Sequence, residues 1–177
     1  MVTARQSWHD AHHSPPRTPI VKSANPAANE ALRQFRLIFG AVRQHFQTVE
    51  KLCGVSGAQV SAMAALRDSP GLKVSQLAKT LSIHASTASN LLDKIEKAGM
   101  VRRERGSEDQ RVVRLYLTAA GEKALEKAPQ PLTGILTHAL GQLPDKSLDR
   151  LNQDLATLIA HMGDLNTKDA QEPLSEL

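Results

Sequence analysis

The sequence has a single cysteine, few aromatic residues and no long apolar run, and each shortage excludes a class of protein. With only Cys53 in 177 residues, an intramolecular disulfide and a cysteine-only metal site are excluded, and a reducing compartment is expected. No apolar run approaches the roughly 20 residues that cross a bilayer, and the N-terminus lacks the apolar stretch of a signal peptide. The sequence therefore predicts a soluble, cytoplasmic protein without a membrane partner.

Aromatic residues make up only 3% of the chain, so the core must consist of leucine, valine and alanine, which favours helices. The 41% of apolar residues is enough for one domain, or for a domain with an oligomerisation arm. The net charge of +4 does not indicate nucleic acid by itself, but its distribution is uneven. Residues 164–177 are acidic, whereas five arginines gather in one stretch. They are Arg102, Arg103, Arg105, Arg111 and Arg114.

Motifs for catalysis are also missing. The chain has no GxGxxG, no P-loop and no HExxH motif, and its Ser, His and Asp residues show no spacing that indicates a catalytic triad. We therefore expect a protein that is not an enzyme and needs no cofactor. His9, His12 and His13 lack carboxylate or cysteine companions, so we interpret them as part of a disordered extension over residues 1–26 rather than as a metal site.

The most informative stretch is residues 75–117. Apolar residues at 88, 91, 92 and 95 follow the i, i+3, i+4, i+7 spacing of a helix over residues 84–98 that packs against a core. The opposite face carries small polar side chains, which allow close approach to a DNA groove and can hydrogen-bond bases or phosphates. These polar residues are Ser86, Asn90, Asp93 and Lys97, flanked by Thr87, Ser89 and Lys94.

Two short strands are predicted after this helix, at residues 100–105 and 111–117, with a polar hairpin tip at 106–110. In the second strand Val113, Leu115 and Leu117 are expected inward, and Arg114 and Tyr116 outward. A short helix at 76–81, with Ser75 as its start signal, and a turn at 82–84 precede the polar-faced helix. Helix, turn, helix and an arginine-bordered hairpin is the layout of a winged helix-turn-helix.

Long apolar stripes flank this central region. They predict one helix over residues 29–53 and another that starts after Pro144, while Ser56 caps a helix over 57–66. Pro129 and Pro131 are expected to break the segment between wing and last helix into helices at 119–127 and 132–143. Each of these two helices has an apolar face that needs a partner to bury it. We therefore expect the two faces to pack against each other and against a second copy of the chain, in a symmetric homodimer.

Short motifs in the same order resemble those of the MarR family of bacterial transcriptional regulators. They are GAQ at 57–59, PGL at 70–72, QLA at 76–78, STAS at 86–89, LDKIEKAGMVRR at 92–103, DQR at 109–111 and LTAAG at 117–121. The resemblance covers residues 30–162. It implies a mainly α fold with a small β-hairpin wing, and a helical dimerisation arm built from the N- and C-terminal helices.

The resemblance also implies a division of the chain. An N-terminal dimerisation helix would cover residues 27–55, the winged helix-turn-helix 56–118, the C-terminal dimerisation helices 119–163 and a flexible acidic tail 164–177. The dimer would bind a pseudo-palindromic, double-stranded operator, with its recognition helices about 34–36 Å apart. It would act as a repressor that is released by a small effector, often an aromatic or phenolic anion, bound between the dimer arm and the winged domain.

The residues expected to contact DNA lie on the polar-faced helix and the wing. Asn90 could pair bidentately with adenine, Lys94 would reach a phosphate, and Lys97 would neutralise Asp93. By resemblance Arg111 enters the minor groove, whose negative potential favours arginine, and Asp109 holds its guanidinium. The full set is Ser86, Thr87, Ser89, Asn90, Lys94, Arg103, Arg105, Asp109 and Arg111.

Three alternatives remain open. Cys53 could make the protein a thiol-responsive repressor, although Lys51 is the only basic residue beside it in sequence and a buried, inert thiol is favoured. The winged helix could instead dock on another protein without binding DNA. The arginine hairpin could be an ordinary solvated edge whose charges block strand aggregation.

Substituting Arg111 by alanine is expected to weaken DNA binding and to flatten its salt dependence by about one phosphate-equivalent or less. Titrations of a duplex at low and high salt measure both effects. Binding that is unchanged at both salt concentrations would show that the wing assignment is wrong.

Overall fold

The computed structural model describes residues 25–105 and 112–175, with the side chain of Lys168 excepted. Within these ranges the chain forms seven α-helices and one antiparallel hairpin, which confirms the predicted mainly α fold. The helices are α1 (Pro26–Cys53), α2 (Gly57–Asp68), α3 (Val74–Leu81), α4 (Ala85–Lys97), α5 (Ala119–Lys127), α6 (Ile135–Gly141) and α7 (Asp145–Ala160). The strands are β1 (Val101–Arg105) and β2 (Val113–Leu117).

The core lies where α2, α3, α4 and the hairpin meet. Each of these elements contributes one apolar face, and their largest side chains are fully removed from solvent. The group includes Met63 and Leu66 of α2, Leu77 of α3, Leu92 and Ile95 of α4, and Leu115 of β2. The spacing in α4 and the alternation in β2 therefore predicted Leu92, Ile95 and Leu115 correctly.

The helix α1 begins at Pro26, three residues before the predicted start at 29. The side chain of Asn25 accepts a hydrogen bond from the backbone N–H of Ala27 at 3.0 Å. Proline suits the first helical position because its fixed φ is already helical and its missing N–H would have no intrahelical partner. The apolar stripe gave no sign of this cap, because it starts only at Leu32.

Two other helix starts also differ from the prediction. The helix α3 begins at Val74 rather than after Ser75, since the side chain of Gln76 accepts the backbone N–H of Lys73 at 2.8 Å. The helix α6 begins at Ile135 instead of residue 132. Leu132 is buried and its carbonyl accepts the hydroxyl of Ser61 at 3.0 Å, which ties this stretch to α2 outside any helix.

The hairpin pairs Val101 with Leu117 and Arg105 with Val113, as an antiparallel ladder. It is attached to the turn before α3, because the N–H of Leu115 donates to the carbonyl of Leu72 at 3.0 Å. Tyr116 was predicted to point outward but is half-buried. Its ring lies under the guanidinium of Arg102, at 5.0 Å from the ring centroid, in a cation–π contact.

The apolar stripes of α1 and α7 remain open within one chain. The helix α7 has no buried residue, so its stripe is not covered by α1 of the same chain. The predicted packing of both stripes with a second copy stays a prediction. Among the described residues, the exposed large side chains of these helices and the segment after α7 include Leu32, Leu37, Ile38, Phe39, Leu158, Ile159, Met162 and Leu165.

The segment after α7, predicted to be a flexible tail, has a defined path over residues 164–175. It contains a 3₁₀ turn at Thr167–Gln171. Ser175 then lies against the start of α2, where its hydroxyl oxygen accepts the backbone N–H of Ala58 at 3.0 Å. None of the helices in the described ranges combines the length and hydropathy that crossing a membrane requires.

Gly121 is expected to be sensitive to the smallest substitution. A Cβ atom there would lie 2.3 Å from the carbonyl oxygen of Met100, which is backbone and already accepts the N–H of Thr118 at 3.0 Å. Gly121→Ala should therefore lower the free energy of unfolding by about 1–3 kcal/mol, measured by urea denaturation.

Gly40→Ala is the matched control, because nothing lies within 4 Å of the added Cβ in the middle of α1. Alanine should there stabilise the helix by about 0.5–1 kcal/mol. Equal changes in the two variants would contradict the close approach of α5 to the hairpin.

Candidate nucleic-acid interface

The helix α4 presents one face to the core and the other to solvent. His84 precedes it without a capping side-chain hydrogen bond, and Gly99 follows it at φ 70°, a left-handed conformation that glycine adopts freely. Its buried residues are Ala88, Leu91, Leu92 and Ile95, the four that the spacing predicted.

The five α4 residues predicted to contact DNA lie on the opposite side of this helix. Ser86, Asn90 and Lys94 are exposed, while Thr87 and Ser89 are half-buried on its flanks. Their side chains are short except for Lys94, so the helix surface is smooth and polar over its first two turns. Such a surface can enter a major groove without steric conflict.

Arg103 is positioned by α4 rather than projecting into solvent. Its Nη2 lies 2.6 Å from Oδ1 of Asp93, and its Nη1 lies 2.9 Å from Oε2 of Glu96. The prediction that Lys97 neutralises Asp93 is therefore wrong, because Arg103 from the neighbouring strand does so. The sequence gave no direct sign of this pair, which forms only once β1 packs beside α4.

The fork of the Arg103 guanidinium thus joins two carboxylates of α4 to β1, and its side chain is only 30% exposed. A guanidinium is suited to this role because its planar donors can serve two acceptors at once. The geometry makes Arg103 a brace that fixes the hairpin relative to α4. Its contact with DNA stays a prediction.

The remaining arginines of β1 are exposed. Arg102 forms an ion pair with Glu104 besides its contact with Tyr116, and Arg105 lies at the end of the strand, where the hairpin tip begins. The predicted contacts Asp109 and Arg111 fall in residues 106–111, outside the described part of the chain.

Thr87 has a partner that sequence reasoning missed. Its hydroxyl donates to the carboxylate of Glu172, at 3.2 Å from Oε1 and 3.5 Å from Oε2. Beside it, the backbone N–H of His84 donates to the carbonyl of Gln171 at 3.4 Å. The acidic segment after α7 therefore lies at the N-terminal end of α4. The two contacting residues are 85 positions apart in the sequence, so local sequence patterns do not predict this contact.

A cavity of about 430 Å³ opens beside this contact. Val42 and Phe46 supply the apolar wall that the first helix was expected to provide, and Ile83 adds to it from the turn before α4. The charged side chains among the described lining residues are Asp68 and Glu172, both carboxylates. His45 does not line it; its ring meets Phe46 edge-on, and burial lowers its pKa.

Cys53 lies at the end of α1, half-buried against the core. Burial raises the pKa of its thiol, and the positive charge of Lys127 only partly opposes this. The neutral thiol is a poor nucleophile, which favours the hypothesis that Cys53 is an unreactive, structural cysteine. In the part of the chain that the structure describes, no three histidine, cysteine or carboxylate side chains form a group that could hold a metal ion.

A two-helix motif with a small-polar outer face, followed by an arginine-bearing hairpin, defines a winged helix-turn-helix regulator. The sequence model described as "MarR family" matches residues 55–113. The transcriptional regulator HosA of Escherichia coli is 32% identical over 100 residues, which cover 56% of this chain and 73% of HosA. The chain belongs to the MarR family of transcriptional regulators and is not an enzyme.

Other relatives agree with this assignment. The HTH-type transcriptional repressor MdtR of Bacillus subtilis is 25% identical over 129 residues, which cover 72% of this chain and 83% of MdtR. Among solved structures, the YusO protein of Bacillus subtilis has 23% identity and a TM-score of 0.50, covering 78% of this chain and 99% of YusO. A MepR-like protein solved with pseudoligands has 20% identity and a TM-score of 0.53, covering 76% and 97%. These two structures show the same fold.

The raised pKa of Cys53 predicts slow reaction with a thiol reagent. In the native protein, modification by Ellman's reagent near pH 8 should be at least several-fold slower than in the urea-unfolded chain, where the thiol titrates normally. Because Cys53 is the only cysteine, the absorbance change reports this residue alone. A native rate above the unfolded rate would instead support the thiol-responsive alternative.

Proposed function

We propose that the protein is a homodimeric transcriptional repressor that binds a pseudo-palindromic operator and is released by a small aromatic ligand. The observation that carries the proposal is the solvent-facing polar side of α4, held at a fixed position beside an arginine-bearing hairpin. Membership of the MarR family supports the regulatory role, and the similarity to MdtR, a transcriptional repressor, supports repression.

The chemistry of α4 suits base reading at its first two turns. Asn90 is exposed and carries both a donor and an acceptor, which together match the N7 and N6 groups of adenine. Ser86 and Ser89 are small enough to leave room for the bases, and Lys94 extends far enough for a phosphate. Base contacts would come from the serines and Asn90, and affinity from the lysine and the wing.

The Arg103 brace gives the two DNA-contacting elements a fixed relation. A wing in the minor groove and a helix in the adjacent major groove can engage together only at a defined separation. Because Arg103 joins β1 to both Asp93 and Glu96, a rotation of the hairpin would break two charge-assisted hydrogen bonds. This preorganisation would reduce the ordering that binding requires.

The open faces of α1 and α7 support the dimer. Phe39 is 59% exposed and Met162 is 60% exposed, values that leave large apolar area in water within one chain. Helix faces with several exposed large apolar side chains are typical of interfaces between proteins. A second copy of the same faces would cover them around a two-fold axis, and that symmetry is also what a pseudo-palindromic operator requires.

The cavity beside α4 supports an effector site. Its volume of about 430 Å³ falls within the range of roughly 300–1,000 Å³ that small-molecule pockets have. Phe46 contributes an aromatic ring to the lining, while Asp68 and Glu172 contribute negative charge. We therefore propose an aromatic effector that is neutral or cationic rather than an aromatic carboxylate.

Fluorescence anisotropy of a labelled duplex from upstream of the protein's own gene tests the proposal. We expect two chains per duplex and an affinity that falls steeply between about 50 and 200 mM salt. Lys94→Ala should reduce the slope of log affinity against log salt by about one, because one phosphate contact is lost.

Lys146→Ala is the matched control: it removes the same charge from the exposed first turn of α7, outside the winged domain, and should leave the slope unchanged. Equal slopes for the two variants would contradict the placement of α4. Failure to bind any duplex at low salt would refute the DNA-binding proposal and favour the protein-docking alternative.

A further inference from the structure

We propose that the C-terminal segment, residues 166–175, competes with DNA for the N-terminal end of α4. The inference rests on the proposed function, since it concerns the same helix. It starts from the contact between the Glu172 carboxylate and Thr87 of α4, which DNA recognition does not require. This carboxylate occupies the end of the helix that would meet DNA.

The contact involves the residues at the very start of α4. Thr87, the third residue of the helix, donates its hydroxyl to the carboxylate of Glu172 at 3.2 Å. The residue just before the helix, His84, donates its backbone N–H to the carbonyl of Gln171 at 3.4 Å. Two consecutive residues of the segment therefore place acceptors at this helix end.

The local fold of the segment positions the Gln171 carbonyl and the Glu172 carboxylate at the start of α4. Asp169 closes a local turn, since it accepts the side-chain amide of Asn166 at 2.7 Å and its own N–H donates to the Asn166 carbonyl at 3.1 Å. The N–H of Glu172 in turn donates to the carbonyl of Asp169 at 3.2 Å. The 3₁₀ turn thus ends with Glu172 facing α4.

A second attachment point lies three residues further on. Ser175 accepts the backbone N–H of Ala58 at 3.0 Å, at the start of α2, and Pro173 and Leu174 line the cavity between these two anchors. The segment therefore spans from α4 to α2 along the cavity and forms part of its wall.

The position of Glu172 is incompatible with bound DNA. Recognition helices contact base edges with their N-terminal residues, and the partial positive charge of a helix N-terminus favours phosphate there. A carboxylate offers the same kind of anionic acceptor to the Thr87 hydroxyl as a phosphate does. Both cannot occupy the site, because their charges repel and their acceptors need the same donor.

The attachment is also weak enough to be displaced. It depends on a few hydrogen bonds between exposed or half-buried groups, and Leu174 remains 45% exposed. A segment bound for most of the time lowers the apparent DNA affinity by the fraction of molecules in which the helix end is free. DNA binding would therefore include release of the segment as one of its steps.

The full-length double variant Glu172→Ala, Ser175→Ala tests this inference. It removes both side-chain anchors of the segment and none of the proposed DNA contacts. We expect it to bind a labelled random-sequence duplex of about 30 base pairs roughly 3- to 10-fold more tightly than the wild type at about 50 mM salt, because the competent fraction rises.

Asp164→Ala is the matched control, since it removes the same negative charge from an exposed position just before the segment. It should change the affinity by less than a third of the effect of the double variant. Equal gains in the two variants would show that the effect is general charge repulsion and would overturn the inference.

Amide hydrogen exchange without DNA provides a readout that is independent of DNA binding. Exchange over residues 166–175 should be faster in the double variant than in the wild type, and unchanged in Asp164→Ala. Exchange that is equally fast in all three proteins would refute the attachment itself. Protection in the wild type combined with no binding of duplex by any variant would instead refute DNA as the competitor, and with it the proposed function.

Discussion

Burial of one side of α4 is the interaction on which the rest of the structure depends. Ala88, Leu92 and Ile95 are completely removed from solvent, so the rotation of the helix about its own axis is fixed. Burying each large apolar side chain contributes roughly 1.5–3 kcal/mol, more than the roughly 0.5–1.5 kcal/mol of a typical neutral hydrogen bond on the outer face. Apart from Asp93 and Glu96, which hold Arg103, the outer face of α4 contributes little to folding, so its small polar residues are available for recognition.

The sequence allowed the buried apolar residues of α4 and β2 to be predicted. For the polar residues it indicated the kind of side chain on each surface, but not the partners that those side chains contact. Periodicity located the buried face of α4 and the alternation that buries Leu115, because burial repeats with the geometry of helix and strand. It did not reveal that Arg103 pairs with Asp93 and Glu96. Those contacts depend on how β1 packs beside α4, which local spacing does not encode.

The starts of the helices were also predicted only in part. Ser56 was recognisable as a cap, and the structure confirms it, because its hydroxyl oxygen accepts the backbone N–H of Gln59 at 3.4 Å while its own backbone N–H donates to the side chain of Gln59 at 2.8 Å. Lys73 occupies the equivalent position before α3 without a capping side chain, and only the amide of Gln76 marks that start. The attachment of Glu172 to Thr87 lies furthest from prediction, because a tail rich in charge normally indicates a solvated segment.

Phe46 joins two regions that would otherwise be independent. Its ring is so close to Gly57 that a Cβ atom on that glycine would lie 2.2 Å from the ring, and the same ring forms part of the cavity wall. Interiors packed this tightly transmit displacement instead of absorbing it. A molecule in the cavity that displaced this ring would therefore also move the junction between α1 and α2, so the position of α1 would respond to what occupies the cavity.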